Sequence, residues 1–90
     1  MEIINWTLEA IADLNNILGY FAQDDSNYAK YFLNTVFEKV KMLEIFPDSG
    51  RICSIYNEST EMELPIQCFR IIYCCIENQI NIISIIHTFP

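Results

Sequence analysis

Ninety residues, 52% of them hydrophobic and with only two glycines and three prolines, describe one small globular domain and exclude a disordered or collagen-like chain. Five Lys plus Arg against twelve Asp plus Glu leave a net charge of −7. That balance argues against free nucleic-acid binding and against docking on an anionic membrane, since both need clustered cations. No run approaches the roughly 18–20 apolar residues of a membrane span, and the acidic Met1-Glu2 start lacks the basic residues of a secretory signal, so a cytoplasmic location is expected.

Residues 2–6 read as a first strand ending at Trp6. Thr7 follows as a helix N-cap, with Glu9 in the first turn, where the helix dipole favours an anion. Ala10, Leu14, Ile17 and Phe21 then recur at helical spacing, flanked by Ile11 and Leu18, while Glu9, Asn15, Asn16 and Gln23 take the other side. Gly19 falls on that polar side. The cluster Asp24-Asp25-Ser26-Asn27 ends this helix and opens a second. In the second, Ala29, Phe32, Leu33, Val36, Val40 and Leu43 share one face, opposite Lys30, Asn34, Glu38 and Lys41. Phe46-Pro47-Asp48-Ser49-Gly50 stops it. So short a break between the two predicts an antiparallel hairpin.

Beyond residue 48 the period changes from 3.6 to 2. Residues 48–60 read as a loop. Met62, Leu64 and Ile66 alternate with Glu61, Glu63 and Pro65, which predicts a half-buried strand with Pro65 at a ladder-free position. Phe69–Ile76 and Ile80–Ile86 are apolar, β-branched strands joined by a turn at Glu77-Asn78-Gln79. The predicted fold is α+β: an N-terminal strand, then an antiparallel helical hairpin packed on one face of a mostly antiparallel sheet.

Both alternating sets of the last two strands are apolar. Phe69, Ile71, Tyr73 and Cys75 face one way and Ile72, Cys74 and Ile76 the other; Ile80, Ile82 and Ile86 oppose Ile83 and Ile85. Helices cover one face only, so the second is expected to be an exposed partner surface, unless loop 48–60 folds over it. A second copy of the chain is one candidate partner. The four cysteines, Cys53, Cys68, Cys74 and Cys75, contain no Cys-x-x-Cys pair, and His87 is the single histidine. No metal site or cofactor is therefore expected, and the thiols read as reduced, small apolar residues.

Taken in order, Glu9-Ala10, Asp13-Leu14, Ile17, Tyr20, Ala29, Phe32, Leu43, Phe46-Pro47 to Gly50-Arg51, Phe69-Arg70-Ile71-Ile72-Tyr73 and Ile83 to His87 resemble the ParE branch of the ParE/RelE toxin superfamily. The resemblance covers the whole chain, 1–90, as a single domain. It implies the toxin component of a type II toxin–antitoxin system, of the plasmid stabilisation kind, with a small antitoxin as partner. Its action would be either inhibition of DNA gyrase by protein binding, as in ParE, or ribosome-dependent mRNA cleavage, as in RelE.

Metal-free RNA cleavage needs a base, an acid and cations around the phosphate, and the inventory for it is Arg51, Arg70, Tyr73 and His87. Each has a plainer reading. Arg51 pairs with a nearby carboxylate or caps the second helix; Arg70 pairs across the sheet with Glu61 or Glu63, or snorkels from an apolar face; Tyr73 is a core or interface aromatic; His87 is a solvated polar residue near a chain end. Partner contacts are expected at Arg70, Ile72, Tyr73, Ile83, Ile85 and His87. The chain departs from the family pattern at Glu61 and Glu63, where basic residues are common, at Gln67, where Gly is common, and in the short Thr88-Phe89-Pro90 end. These departures weaken cationic contacts to gyrase, DNA or ribosome, and imply either a mainly apolar target surface or an attenuated homologue kept as a binding module. The leading expectation is a ParE-like toxin acting by protein binding, its antitoxin a basic amphipathic segment laid on the open sheet face and in the groove beside the helical hairpin.

Overall fold

The computed structural model describes residues 3–52 and 61–88. The elements run β1 (Ile3–Trp6), α1 (Leu8–Asp24), α2 (Ser26–Met42), β2 (Arg51–Ile52), β3 (Glu61–Ile66), β4 (Phe69–Ile76) and β5 (Gln79–His87). One five-stranded sheet has the order β1-β5-β4-β3-β2; β1 lies parallel to β5 and every other neighbour is antiparallel. The expected α+β architecture is the observed one.

Local chemistry explains the helix boundaries. The Thr7 hydroxyl accepts from the Ala10 amide at 3.2 Å, capping α1. Asp25 serves both helices: its own amide donates to the Phe21 carbonyl at 2.9 Å, and its carboxylate accepts from Asn27 and Tyr28 at 3.0 and 3.2 Å. One residue thus closes α1 and opens α2, which folds them back into a hairpin. Ala10, Leu14, Phe32, Val36, Val40 and Leu43 of the hairpin pack on Ile66, Ile71, Tyr73, Ile80, Ile82 and Ile85 of the sheet. Ile11, expected in that stripe, is 41% exposed, because it stands one helical step off the Ala10–Leu14 line.

The β4–β5 hairpin turns at Glu77 and Asn78, with φ of 48° and 64°, and strand pairing resumes at Gln79 opposite Ile76. Two positive φ values are the signature of a type I′ turn, whose twist suits a tight hairpin. The register then shifts between Ile72 and Tyr73: Tyr73 faces Ile82 while Ile72 faces Ser84, which leaves Ile83 as an extra residue. This bulge corrects the expected alternation in β5. Ile85, not Ile86, joins Ile80 and Ile82 in the core, because one inserted residue reverses the phase of everything after it. Thr7 pins the bulge, its hydroxyl lying 2.8 Å and 3.2 Å from the Ile82 and Ile83 carbonyls. Asp13 Oδ2 accepts the Ile85 amide at 3.0 Å, beyond the last residue that β1 pairs.

Three further expectations change. Residues 51–52 form a short edge strand instead of loop; the reading of 53–60 as loop, Cys53 included, lies outside the described residues. Cys68 and Cys75 are exposed and Cys74 half-buried, so these thiols are not core residues: Cys68 occupies a turn and the others the far end of β4. Finally, the second face of the sheet is not an open apolar surface. Ile72 and Ser84 at its centre are 0% and 5% exposed, and of its β4 side chains only Ile76, beside the Glu77-Asn78 turn, is largely exposed.

Candidate functional site

The second face carries the charged residues singled out from the sequence. Strand register places Arg51, Glu63, Ile72 and Ser84 side by side across β2, β3, β4 and β5. Glu63 Oε1 lies 2.7 Å from Arg51 Nε, and Oε2 lies 3.1 Å from Arg70 Nη1. Arg70 Nε also donates to Thr88 Oγ1 at 3.1 Å. The Glu63 side chain is 2% exposed, against 20% for Arg70 and 64% for Arg51. A buried carboxylate is costly unless paired and hydrogen-bonded, and here each oxygen has its own guanidinium. Strict alternation had put Glu63 on a solvated face; its burial follows from cations on both neighbouring strands.

Tyr73 lies on the other side of the sheet and is fully buried. Its hydroxyl donates to the Pro47 carbonyl at 2.9 Å and accepts the Gly50 amide at 3.0 Å. Burial raises its pKa above the ordinary 10.0, opposed by the Gly50 hydrogen bond and aided by the negative charge of Asp48. Tyr73 is therefore a clamp on the α2–β2 connection. It offers neither a proton at neutral pH nor a contact surface. Gly50 is required here, because a Cβ would stand 2.4 Å from the Tyr73 hydroxyl and 2.7 Å from the Glu63 carbonyl oxygen.

The residues expected to meet a partner are thus divided. Ile72, Tyr73 and Ile85 are buried, Arg70 is tied to Glu63 and Thr88, and Ile83 sits half-buried in the bulge. His87 is exposed and packs edge-on against Phe69 with ring centroids 5.0 Å apart. The catalytic candidates do not form one open cluster: Arg51 and Arg70 share Glu63 on the second face, while His87 stands with Phe69 on the helix side. Among the described residues no group of three or more His, Cys, Asp and Glu is placed to hold a metal ion.

The groove expected beside the helical hairpin is an aromatic cleft of about 520 Å³ near the turn that joins the two helices, lined by Ile17, Tyr20, Phe21, Tyr28, Phe69 and His87 together with Asn16, Gln67 and Cys68; of these, sequence reasoning had named only His87 as a partner contact. Phe21 is its hub, with ring centroids 4.9 Å from Tyr28, 5.2 Å from Phe32 and 6.1 Å from Phe69. The Tyr28 hydroxyl donates to Gln67 Oε1 and so ties α2 to the β3–β4 turn. Tyr20 and Tyr31, close by in sequence, are 67% and 58% exposed. Aromatics on otherwise polar helix faces were the available signal.

With this geometry in place, the comparisons agree. The sequence matches the family described as ParE toxin of type II toxin-antitoxin system, parDE, over residues 4–88. Twelve chains of solved structures match. One of them, titled as the chromosomal ParDE TA system from P. aeruginosa, superposes with a TM-score of 0.82 at 21% identity, over 99% of this chain and 98% of that one. No match is found among the curated proteins. The match to 4–88 covers all the described elements but for Ile3, the first residue of β1, and the chain belongs to the ParE toxin family.

Proposed function

We propose that this chain is a toxin that acts by binding protein, with DNA gyrase as its target, and that a small cognate antitoxin neutralises it. The observation that carries the reading is the pairing of both arginines with Glu63. Phosphodiester cleavage needs cations free to hold the phosphate, and the remaining cations, Lys30, Lys39 and Lys41, all lie on α2. The open surface is instead apolar and aromatic, the composition of a protein-recognition site. Aromatic anchors of an amphipathic antitoxin segment would seat in the cleft beside the hairpin. A net charge of −7 favours a basic segment.

The test is induction of the chain alone in a bacterial host, with and without the neighbouring reading frame. Growth arrest that the neighbour relieves is expected. Unimpaired growth at confirmed soluble expression overturns the toxin reading, and an acidic neutralising segment overturns the charge argument.

A further inference from the structure

The Arg51–Glu63–Arg70 cluster has a geometry beyond that of an ordinary ion pair. One carboxylate offers its two oxygens to guanidiniums from two different strands, at 2.7 and 3.1 Å. An arginine pair holds a phosphate-class oxyanion in the same way, one oxygen to each fork. Arg70 does not depend on Glu63 alone for its position, since Thr88 holds its Nε at 3.1 Å. Arg51 spends only Nε on the contact, so its terminal amino groups, like Nη2 of Arg70, make no bond among the described residues. The three-residue cluster holds two positive charges against one negative, with the negative one buried at its centre; Glu61, two residues along β3 and so on the same face, adds a second carboxylate, whose Oε2 is buried without a hydrogen-bond partner among the described residues. Next to it on the same face, Ser84 Oγ is buried without a hydrogen-bond partner among the described residues, two strands from Glu63 in register.

We propose that Arg51 and Arg70 form a binding site for a phosphate-class oxyanion on the face of the sheet opposite the helices, and that the chain's own Glu63 carboxylate fills it. The native chain is closed to that ligand by a single residue. Removing the charge alone does not open the site, because Gln at 63 keeps the volume. Serine removes both charge and bulk, leaving two guanidiniums, one of them largely buried, around the space the carboxylate held. An anion from solution then recovers the charge-assisted hydrogen bonds that Glu63 made. The inference concerns this face only and stands whatever partner the aromatic cleft takes.

The probe is inorganic phosphate, compared with chloride at matched ionic strength, on the full chain. Thermal unfolding and the Arg Nε–H resonances are followed for wild type, Glu63→Ser, Glu63→Gln and Glu63→Ser/Arg70→Met. A ligand that binds only the folded state raises its unfolding temperature with concentration. Glu63→Ser is expected to be stabilised by phosphate, with saturable shifts at the two Arg Nε–H groups. Its affinity should be at least about tenfold tighter than wild type, the factor that one recovered charge-assisted hydrogen bond corresponds to. Glu63→Gln should bind more weakly than Glu63→Ser, and the double variant no better than wild type. Equal phosphate response in wild type and Glu63→Ser overturns the proposal, as does a response that survives loss of Arg70. A Glu63→Ser chain that folds in phosphate but not in chloride supports it. One that folds in neither overturns it, because the added anion should replace the missing charge.

Discussion

Replacing Tyr73 with Phe removes one oxygen atom and two hydrogen bonds. The hydroxyl donates to the Pro47 carbonyl at 2.9 Å and accepts the Gly50 amide at 3.0 Å, from a side chain that is 0% exposed. A neutral buried hydrogen bond contributes about 1 kcal/mol net, and a buried polar group left without a partner costs about 1–3 kcal/mol. Pro47 and Gly50 are both half-buried, so water reaches part of the vacated connection and the lower end of that range applies. The expected loss is about 2 kcal/mol at neutral pH, or roughly 8–16 °C in Tm for a domain of this size. Urea unfolding at 25 °C measures it, with an unchanged m-value because the fold and its buried area persist. The pH dependence adds a second signature. The raised pKa of Tyr73 means the folded state keeps its proton where the unfolded chain has lost it. That contribution is fully present below the unfolded value of 10.0 and is lost as pH rises through the folded value. Above about pH 10 the wild type should therefore lose stability faster than Tyr73→Phe. A loss below about 0.5 kcal/mol at neutral pH, or identical alkaline profiles, would show that the hydroxyl does not clamp the α2–β2 connection.

Three other outcomes follow from the same contacts. Gly50→Ala sets a methyl group 2.7 Å from the Glu63 carbonyl oxygen, backbone that cannot swing aside, so a loss of about 2–3 kcal/mol is expected in the urea assay. Arg51→Ala and Arg70→Met should differ sharply although both meet Glu63: the exposed Arg51 pair contributes about 0–1 kcal/mol, whereas losing the largely buried Arg70 leaves a buried carboxylate under-paired, at about 2–4 kcal/mol. Equal losses would contradict the assigned burial. Glu77→Asn should stabilise the chain by about 0.5–1 kcal/mol, because Asn tolerates the left-handed backbone that Glu77 adopts at φ 48°; a calorimetric Tm at or below wild type would refute this.

How far the sequence carried the fold can be read from particular residues. Thr7 and the Asp24–Asn27 cluster marked the helix ends through local hydrogen-bonding chemistry, and local signals of that kind survive in the linear text. The bulge at Ile83 was harder to see because the inserted residue is one more isoleucine in an isoleucine-rich strand. A trace was present: Asn81 and Ser84 share the second face yet stand three residues apart, a spacing that period 2 cannot produce without an insertion. The burial of Glu63 was not legible. It depends on Arg51 from β2 and Arg70 from β4 arriving together, and an acidic residue alternating with apolar ones reads as solvent-facing. That Arg51 and Arg70 each pair with a carboxylate was legible; that one carboxylate serves both was not. A groove beside the hairpin was expected, but its aromatic lining was not legible, because it joins α1, the start of α2, the start of β4 and the end of β5, and no one of these segments shows it.

The proposed action of this chain is protein recognition, a reading supported by its membership of the ParE toxin family and by the pairing of both arginines with Glu63. The most direct test adds the purified chain to DNA gyrase and follows supercoiling, alongside a ribosome-dependent mRNA cleavage assay with the same preparation. The account predicts dose-dependent inhibition of supercoiling, relieved by the cognate antitoxin, with mRNA left intact. Cleaved mRNA with unimpaired supercoiling would contradict it, because cleavage needs cations that the Glu63 pairing has already engaged.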